Sequence, residues 1–418
     1  MSVFDGKRKT ELGVAIFYML LVAVTFSTHT MAPKIASMAI IPLAVLMMFM
    51  RADFGRIKLV SSYPLLLIAG MTLMYIVTMT IWIVNIESRI YIMQGTRRLA
   101  LQYINILVAF SAAYMFGYKV VDYTFYASCA INGLKAVQAM LSIGPAQSFK
   151  DFLFAITTGE QVGFMVLMEI HELSYTFGIF ILFYLFVSNK PLKKKIYHIL
   201  AALFFVVLGF KRIVFASVFL SVAVGWIIFR ASDEARRRLC ITTGIIVAVM
   251  SFLYIPIIRN GIFERTMAAL NIETNTRTDI YNFVKDIYVF SPKFLGRGLE
   301  YVTRYLAYIK TLHLKFAGSS LNYIHNDILV RYIELGFWGF VGWLFSNCIF
   351  SQIWFQKNFG STCGVLFCTV NLYNFINYSV GNTTVAYSVR LVAAVVFIGG
   401  IMIEYEKRHG TEGLKPHS

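Results

Sequence analysis

The stretch from Tyr63 to Val84 reads YPLLLIAGMTLMYIVTMTIWIV and contains no charged side chain. A helix needs about 20 consecutive, predominantly apolar residues to cross a bilayer, so this stretch predicts a membrane-spanning helix. Apolar runs of similar length recur along the whole 418-residue chain. The sequence therefore predicts an all-α, polytopic integral membrane protein with about 12 transmembrane helices.

The composition supports this class of protein, because 58% of the residues are hydrophobic and only 14% are charged. An ordinary soluble domain carries roughly 25% charged residues, so a soluble globular protein is excluded. The net charge of +17 would suggest a nucleic-acid partner in a soluble protein. Here Lys and Arg cluster between the apolar runs, which is typical of membrane topology, and no nucleic-acid partner is expected. The five cysteines form neither a disulfide framework nor a zinc-binding spacing.

Twelve apolar runs are assigned as membrane spans, with boundaries accurate to several residues. The predicted spans are Leu12–Phe26, Ala36–Met50, Tyr63–Val84, Leu99–Phe116, Val120–Met140, Phe164–Val187, Ile196–Leu208, Ile213–Phe229, Cys240–Ile257, Leu335–Phe355, Cys363–Val380 and Val385–Ile403. The stretch from Leu141 to Gly163 is open to a re-entrant or interfacial segment.

The basic residues predict the topology, because cytoplasmic loops of membrane proteins carry an excess of Lys and Arg. With the N-terminus inside, the blocks Lys193–Lys195, Arg236–Arg238 and Lys407–Arg408 all fall on the cytoplasmic side. Both termini are then cytoplasmic. Three arginines run against the rule and stand outside in this topology: Arg89, Arg97 and Arg98.

A long outward-facing segment, residues 258–334, divides the predicted chain into three parts. Residues 1–257 hold spans one to nine, and residues 335–418 hold spans ten to twelve and a cytoplasmic tail. Within the outer segment, apolar residues recur at helical spacing over Ile280–Tyr288 and again over Tyr301–Ile309. Amphipathic helices on the outer membrane surface are predicted there, with a cap over the bundle as the alternative.

Ionisable side chains concentrate where the outer segment re-enters the membrane, beginning with His325, Asn326 and Asp327. Asn326 is a good helix N-cap, which would place His325 just before the positive end of a helix, where a neutral imidazole is favoured. Asp327 and Arg331 are i,i+4 neighbours on that helix, and Arg331 and Glu334 are i,i+3 neighbours. Ionisable groups at membrane depth are functional by default, although such a ladder can also serve only as an interfacial anchor.

Three motifs resemble the O-antigen ligase and O-antigen and capsule polysaccharide polymerase superfamily. His325-Asn326, nine residues and then Gly336-Phe337-Trp338-Gly339 are similar to its signature of His, a polar residue and a later Gly-x-x-Gly. Arg277 and Tyr281, followed by the run Ser291–Gly298, resemble its Arg-x-x-x-aromatic stretch with a Pro and a Gly-x-Gly turn.

The third motif, Gly209–Arg212, resembles the family's small-residue and Arg turn between two spans that end outside. The resemblance covers roughly residues 195–342, and residues 1–190 match in topology alone. It implies an all-helical GT-C-type glycosyltransferase in the bacterial inner membrane. Such an enzyme moves a glycan from undecaprenyl pyrophosphate to an acceptor hydroxyl on the outer face.

The resemblance also implies roles for single residues. His325 would be the catalytic general base that accepts the proton of the acceptor hydroxyl. Four cations would bind the leaving pyrophosphate, each with an ordinary interfacial or solvated side chain as the alternative: Lys211, Arg212, Arg277 and Arg297. No cofactor and no metal is expected, since the outer segment contains no Asp-x-Asp pair that would hold a divalent ion.

Further residues are candidates for lining the substrate cavity: Asn326, Asp327, Arg331, Glu334, Asn374, Asn377 and Arg390. Asn374 and Asn377 form a polar stripe with Asn371, which suits sugar hydroxyls but equally suits packing between helices. Arg390 lies within a span and needs an anion, for which Glu334 and a substrate phosphate are the candidates.

Several functions remain open from the sequence. A polymerase, whose acceptor is another lipid-linked repeat, is preferred over a ligase, whose acceptor is lipid A core. A lipid-linked oligosaccharide flippase or transporter would share the composition, but no two-fold repeat or pair of broken helices is present. A structural or sensory membrane protein would not need the His325 motif. The expected partners are the undecaprenyl-pyrophosphate-linked glycan, an acceptor glycolipid and membrane lipid, and a chain-length regulator is left open.

Overall fold

The computed structural model describes residues 3–27, 35–50, 53–84, 92–160, 162–169, 173–269, 277–312, 324–381, 383 and 386–409. Within these ranges, the side chains of residues 3–11, 50, 169, 173, 277–279, 310–312 and 409 are not described. All the regular secondary structure of this part of the chain is helical, as the composition and the apolar runs predict.

The α-helices are numbered in chain order. They are α1 Val3–Ser27, α2 Ile40–Met50, α3 Phe54–Val84, α4 Ile92–Phe116, α5 Val120–Ile143, α6 Pro145–Thr158, α7 Phe164–Glu169, α8 Leu173–Phe186, α9 Leu192–Gly209, α10 Arg212–Arg230, α11 Asp233–Arg259, α12 Ile262–Ala269, α13 Arg277–Val284, α14 Tyr301–Leu312, α15 Asp327–Leu344, α16 Ser351–Phe359, α17 Ser361–Val380 and α18 Tyr387–His409. A π-helical segment, Phe345–Phe350, joins α15 to α16.

Six helical stretches within the described residues are long and apolar enough to cross a membrane. They are Phe54–Val84, Ile92–Ile143, Arg212–Arg230, Asp233–Arg259, Asp327–Phe359 and Tyr387–Arg408. Shorter apolar helices lie at Leu12–Ser27, Ser37–Phe49 and Ser174–Phe186. The chain is thus an all-α polytopic membrane protein, and the total of twelve spans stays a prediction.

Helix α18 lies at the centre of the bundle and α3 at its edge. Within the apolar stretch of α18, 83% of the residues are buried, against 17% in α3. Beside α18, α17 packs tightly on α10: a Cβ atom added to Gly225 would lie 2.6 Å from Cγ2 of Thr369. Small residues of this kind let neighbouring membrane helices approach closely, because no side chain separates their backbones.

The outer segment packs on the bundle. Ile280 and Val284 of α13 and Val302 and Leu306 of α14 are buried in one core with residues of α11 and α15. These apolar residues are covered by other helices, which favours the alternative of a cap over the bundle. Helix α13 also ends sooner than its apolar spacing predicts, since Tyr288 is extended.

The stretch between the fifth and sixth predicted spans contains a short helix, as expected for an interfacial or re-entrant piece. Helix α6 has 14 residues and ends at Gly159, whose φ is 76°. At about 1.5 Å per residue it is too short to cross a bilayer of about 30 Å. The Asp151 carboxylate accepts a hydrogen bond from the Phe164 N–H (2.9 Å), which ties α6 to the start of α7.

Candidate functional site

The start of α15 is a capped helix end. The Asn326 side chain accepts a hydrogen bond from the Leu329 N–H (3.0 Å), which confirms the predicted N-cap. Its amide also donates to the Tyr281 hydroxyl (3.3 Å). His325, directly before the cap, has φ 54°, a left-handed conformation that is uncommon outside glycine. Such a residue persists where its surroundings hold it, and such residues cluster at functional sites.

This capped end lies at the same end of the bundle as the basic turn 210–212. The Asp327 N–H donates to the Gly381 carbonyl (3.2 Å), so α15 starts where α17 has just ended. Helices α17 and α10 run antiparallel, and the Asn377 amide donates to Ser217 Oγ (3.1 Å). Because Asn377 is one turn before Gly381, the start of α10 at Arg212 stands level with the end of α17.

The basic turn itself is tight, as predicted. Helix α9 ends at Gly209, Phe210 takes φ 44°, and α10 begins at Arg212. Gly209 is required because an added Cβ would lie 2.7 Å from Cβ of Ser174 at the start of α8. Lys211 is partly buried and Arg212 is exposed.

A second feature is the crossing of two backbones at a break in α15. Gly336 has φ 72° and ψ −177°, which interrupts the helix. Loop 294–298 lies across this break: the Gly298 N–H donates to the Glu334 carbonyl (2.8 Å), and the Phe337 N–H donates to the Phe294 carbonyl (2.8 Å). A Cβ added to Gly296 would lie 2.5 Å from the Gly336 nitrogen. The Gly-x-Gly turn and the Gly-x-x-Gly signature are therefore in direct contact.

Two arginines near this crossing donate hydrogen bonds to backbone carbonyls of the outer segment. Arg297 Nε donates to the Ile287 carbonyl (3.1 Å), and its guanidinium lies 5.7 Å from the ring centre of Tyr301. Arg259 Nη1 donates to the Lys285 carbonyl (2.7 Å) and to the Tyr288 carbonyl. Burial raises the pKa of the Tyr288 phenol above its ordinary value. Arg297, predicted to bind pyrophosphate, thus holds the loop with part of its guanidinium.

For Arg277, the fourth predicted phosphate ligand, the structure describes only the backbone. Arg277 begins α13, and its side chain lies outside what the structure describes.

A buried ionic network crosses the middle of α15. Arg331 Nη1 lies 3.1 Å from Glu334 Oε2, and both side chains are almost fully buried. Glu334 Oε1 accepts a hydrogen bond from the Glu300 N–H (2.8 Å), and the Glu300 carboxylate pairs with Arg98 of α4. Glu334 therefore pairs with Arg331, and the expectation that it neutralises Arg390 is wrong: the i,i+3 spacing puts Arg331 nearer.

This network also accounts for one arginine that runs against the charge rule. Arg98 lies on the side of the outer segment because it neutralises Glu300 there. Sequence reasoning identified Arg98 only as an exception in the topology, and that exception was the signal of a partner in the outer segment.

Next to the network is a cavity of about 1080 Å³, which lies between α3, α4, α15, α17 and α18. The polar side chains that line it are Thr80, Gln102, Asn105, Arg331, Ser346, Asn347, Ser351, Asn371, Asn374, Tyr378 and Arg390. Three of the predicted cavity candidates, Arg331, Asn374 and Arg390, are among them. Gln102 and Asn105 on α4 are additions, and their only sequence signal was a polar residue within an apolar run.

The other candidates lie elsewhere. Asn377 is buried and bonds to Ser217 on α10, so it faces away from this cavity. Asn326 and Asp327 form the buried start of α15, and Glu334 is enclosed by its own network. Over the described residues, no group of three or more His, Cys, Asp or Glu side chains could hold a metal ion.

Comparison with known proteins gives one match. Residues 175–344 match the family described as O-Antigen ligase. This match covers about two fifths of the chain and supports the O-antigen ligase and polymerase superfamily. The matched residues include the basic turn, the outer segment, His325 and the break at Gly336. No curated protein and no solved structure matches the chain.

The family match also bears on the general activity. It supports an O-antigen ligase or polymerase type of function in general and suggests a glycosyltransferase-like enzyme, and the family implies lipid-linked polysaccharide as substrate. The match does not separate the two reactions, because both share the family.

Proposed function

We propose that this membrane protein is a repeat-unit polymerase. It transfers a glycan from undecaprenyl pyrophosphate to a hydroxyl of a second lipid-linked repeat, on the outer face of the bacterial inner membrane. The observation that carries the proposal is the placement of His325. Its left-handed backbone stands before the capped start of α15, at the end of the bundle that also presents Lys211 and Arg212.

The chemistry follows from this arrangement. His325 accepts the proton of the acceptor hydroxyl as that oxygen bonds to the anomeric carbon of the donor glycan. The bond from the anomeric carbon to the pyrophosphate oxygen breaks, and undecaprenyl pyrophosphate leaves with the bonding electrons. Negative charge builds up on the departing pyrophosphate, which Lys211 and Arg212 stabilise. The reaction needs neither a metal nor a cofactor in this scheme.

The same family match supports a second candidate, a ligase that transfers the finished glycan to lipid A core or a similar acceptor. The same base and the same cations serve both reactions. The difference lies in the acceptor, so the deciding experiment varies the acceptor alone.

The experiment measures glycan transfer by the purified protein with undecaprenyl-pyrophosphate repeats as the sole substrate, in the presence of a chelator. We expect a ladder of products that His325→Ala abolishes. Transfer only after addition of lipid A core would identify the ligase. Activity that requires a divalent ion would contradict the metal-free scheme.

The proposed orientation has its own measurement, cysteine accessibility in sealed vesicles. Lys293 and Lys194 are both exposed, so a cysteine at either position is open to a reagent. We expect Lys293→Cys to react from the outer side and Lys194→Cys from the cytoplasmic side. Reversed labelling would place His325 in the cytoplasm and overturn the mechanism.

A further inference from the structure

The cavity beside α3 has cations and no anions among its described lining residues. Arg331 and Arg390 are its charged members. Arg331 is neutralised by Glu334 (3.1 Å), but no described carboxylate forms a salt bridge with Arg390. Arg331 and Arg98 repel the Arg390 guanidinium, whereas Tyr378 and Asp327 attract it without forming a salt bridge. An unpaired cation within a membrane span is unfavourable, and the described lining residues of the cavity supply no carboxylate. The cavity is therefore expected to bind an anionic group.

The opposite wall of the cavity is apolar and long. Its α3 residues run from Tyr63 to Val84, and at about 1.5 Å per residue they extend about 30 Å. That length equals the hydrocarbon thickness of a bilayer. Leu73, Ile76 and Val84 on this wall are more than half exposed, as expected for a helix at the lipid edge of the bundle. A chain of lipid length fits along α3 while its headgroup faces the arginines.

This cavity is separated from the basic turn by α17. Asn371, Asn374 and Tyr378 line the cavity, whereas Tyr373 and Asn377 bond to α8 and α10. At about 100° per residue, these two sets fall on different sides of one helix. Neither Lys211 nor Arg212 is a lining residue. The protein thus presents two separate basic sites, one on each side of α17.

We infer that the α3 cavity binds the phosphate headgroup of a second polyprenyl lipid through Arg390 and Arg331, with the isoprenoid chain along α3. This inference rests on the proposed function for one point, that the second lipid is the acceptor repeat of the polymerase. The start of α15 stands at the end of α17, between the two sites, so His325 lies where a donor on one side and an acceptor on the other can meet.

The test counts bound lipids by native mass spectrometry of the purified protein titrated with undecaprenyl phosphate. We expect two lipids on the wild type and one on Arg390→Gln, with Arg390→Lys retaining the second. Lys211→Ala/Arg212→Ala should lose the other lipid. Arg230→Gln, an exposed arginine stacked on Trp226, is the matched control and should bind two. Two lipids on Arg390→Gln would overturn the inference.

Three further ligands identify the chemistry that the cavity recognises. We expect undecaprenol, which lacks the phosphate, to bind at least tenfold more weakly and to be insensitive to Arg390→Gln. Inorganic phosphate should compete poorly because it gains nothing from α3. Phosphatidylglycerol also carries a phosphate, but its two acyl chains are shorter than the undecaprenyl chain. Binding of phosphatidylglycerol or of inorganic phosphate as strong as that of undecaprenyl phosphate would overturn the assignment to a polyprenyl lipid.

A cavity-filling variant tests the site without removing a charge. Gly342 lines the cavity, and an added Cβ there meets no atom within 4 Å, so Gly342→Leu adds bulk inside the cavity. Gly133 of α5 is equally open but lies outside the cavity, which makes Gly133→Leu the control. We expect loss of one lipid from Gly342→Leu alone, and equal lipid counts for both variants would contradict the site.

The binding assay is independent of turnover, so it separates this inference from the proposed function. His325→Ala should bind two lipids and transfer no glycan. If His325→Ala transfers glycan while Arg390→Gln binds one lipid, the proposed mechanism fails and the cavity site stands. If His325→Ala is inactive while Arg390→Gln binds two lipids, the cavity site fails and the mechanism stands.

Discussion

The two basic sites differ in how their charge is held. Lys211 and Arg212 stand on a turn at the end of two helices, and Arg212 is exposed, so water can solvate its charge. Arg331 is buried beside Glu334, and Arg390 lines a cavity within the bundle. At this exposed position the charge needs no protein partner. At the second site, nearby groups must compensate the charges, because an unpaired charge inside a membrane is costly.

We expect the greatest loss of activity from removal of the general base His325, which lies between the two sites, while both sites keep their lipids. Replacement of His325 by Ala removes the general base, which typically lowers a rate by about 10²- to 10⁴-fold. Initial rates of glycan transfer measure the loss. Thermal unfolding of the variant is the control for an intact fold. A rate within threefold of the wild type would return His325 to a structural role.

The buried network of the second site should be the more fragile one. Glu334→Gln keeps an acceptor for the Glu300 N–H but leaves Arg331 without its counter-charge, and breaking a buried ion pair costs about 3–5 kcal/mol. The measurement is the free energy of unfolding in a denaturant titration in detergent.

The matched control for this change is an exposed pair. Glu234 and Arg238 of α11 form an i,i+4 ion pair with both side chains 77% exposed. We expect Glu234→Gln to cost less than about 1 kcal/mol, because water replaces the lost partner. Equal costs for Glu234→Gln and Glu334→Gln would show that the network of the second site is solvated.

The backbone crossing that supports the second site should depend on Gly336. Gly336→Ala places a Cβ 2.2 Å from the Leu295 carbonyl carbon and forces alanine into φ 72°, for a cost of about 2–4 kcal/mol. Gly342→Ala on the same helix meets open space and should change stability by less than about 1 kcal/mol. Thermal unfolding of the two variants measures the difference. A tolerated Gly336→Ala would mean that the loop can leave the break in α15.

A mild loss of stability is expected from changes at the start of α15, between the two sites. Asn326→Ala removes the cap on Leu329 and the bond to Tyr281, and a lost cap costs about 1 kcal/mol. Asn326→Ser keeps a capping oxygen and should recover most of the stability but not the Tyr281 bond. Should serine and alanine be equally destabilising, the Tyr281 bond rather than the cap would hold this helix end.

Local patterns predicted several of these features well. The cap at Asn326, the tight turn at Gly209–Arg212 and the helical class all depend on residues close in sequence. The amphipathic faces of α13 and α14 were also predicted, but the sequence left open whether they lie on the membrane surface or cap the bundle. An apolar face has the same sequence pattern whether it meets lipid or another helix, so only the packed structure shows that it is covered.

Partnerships between distant residues could not be predicted for the same reason. Arg98 and Glu300, or Gly296 and Gly336, are brought together by packing and have no common spacing in the sequence. Arg390 illustrates the limit, since its need for an anion followed from its place in a span, but the partner predicted for it was wrong.

From the sequence alone, this chain could be predicted to be a helical membrane protein with His325 at the start of a helix and a basic turn upstream. These features follow from hydrophobic length, capping and turn chemistry, which are local properties. Three features became visible only in the folded protein: the pairing of Glu334 with Arg331, the crossing of the two glycine motifs, and the position of Arg390 at a cavity along α3. Those facts depend on which helix surfaces lie side by side, and close packing between distant segments determines that.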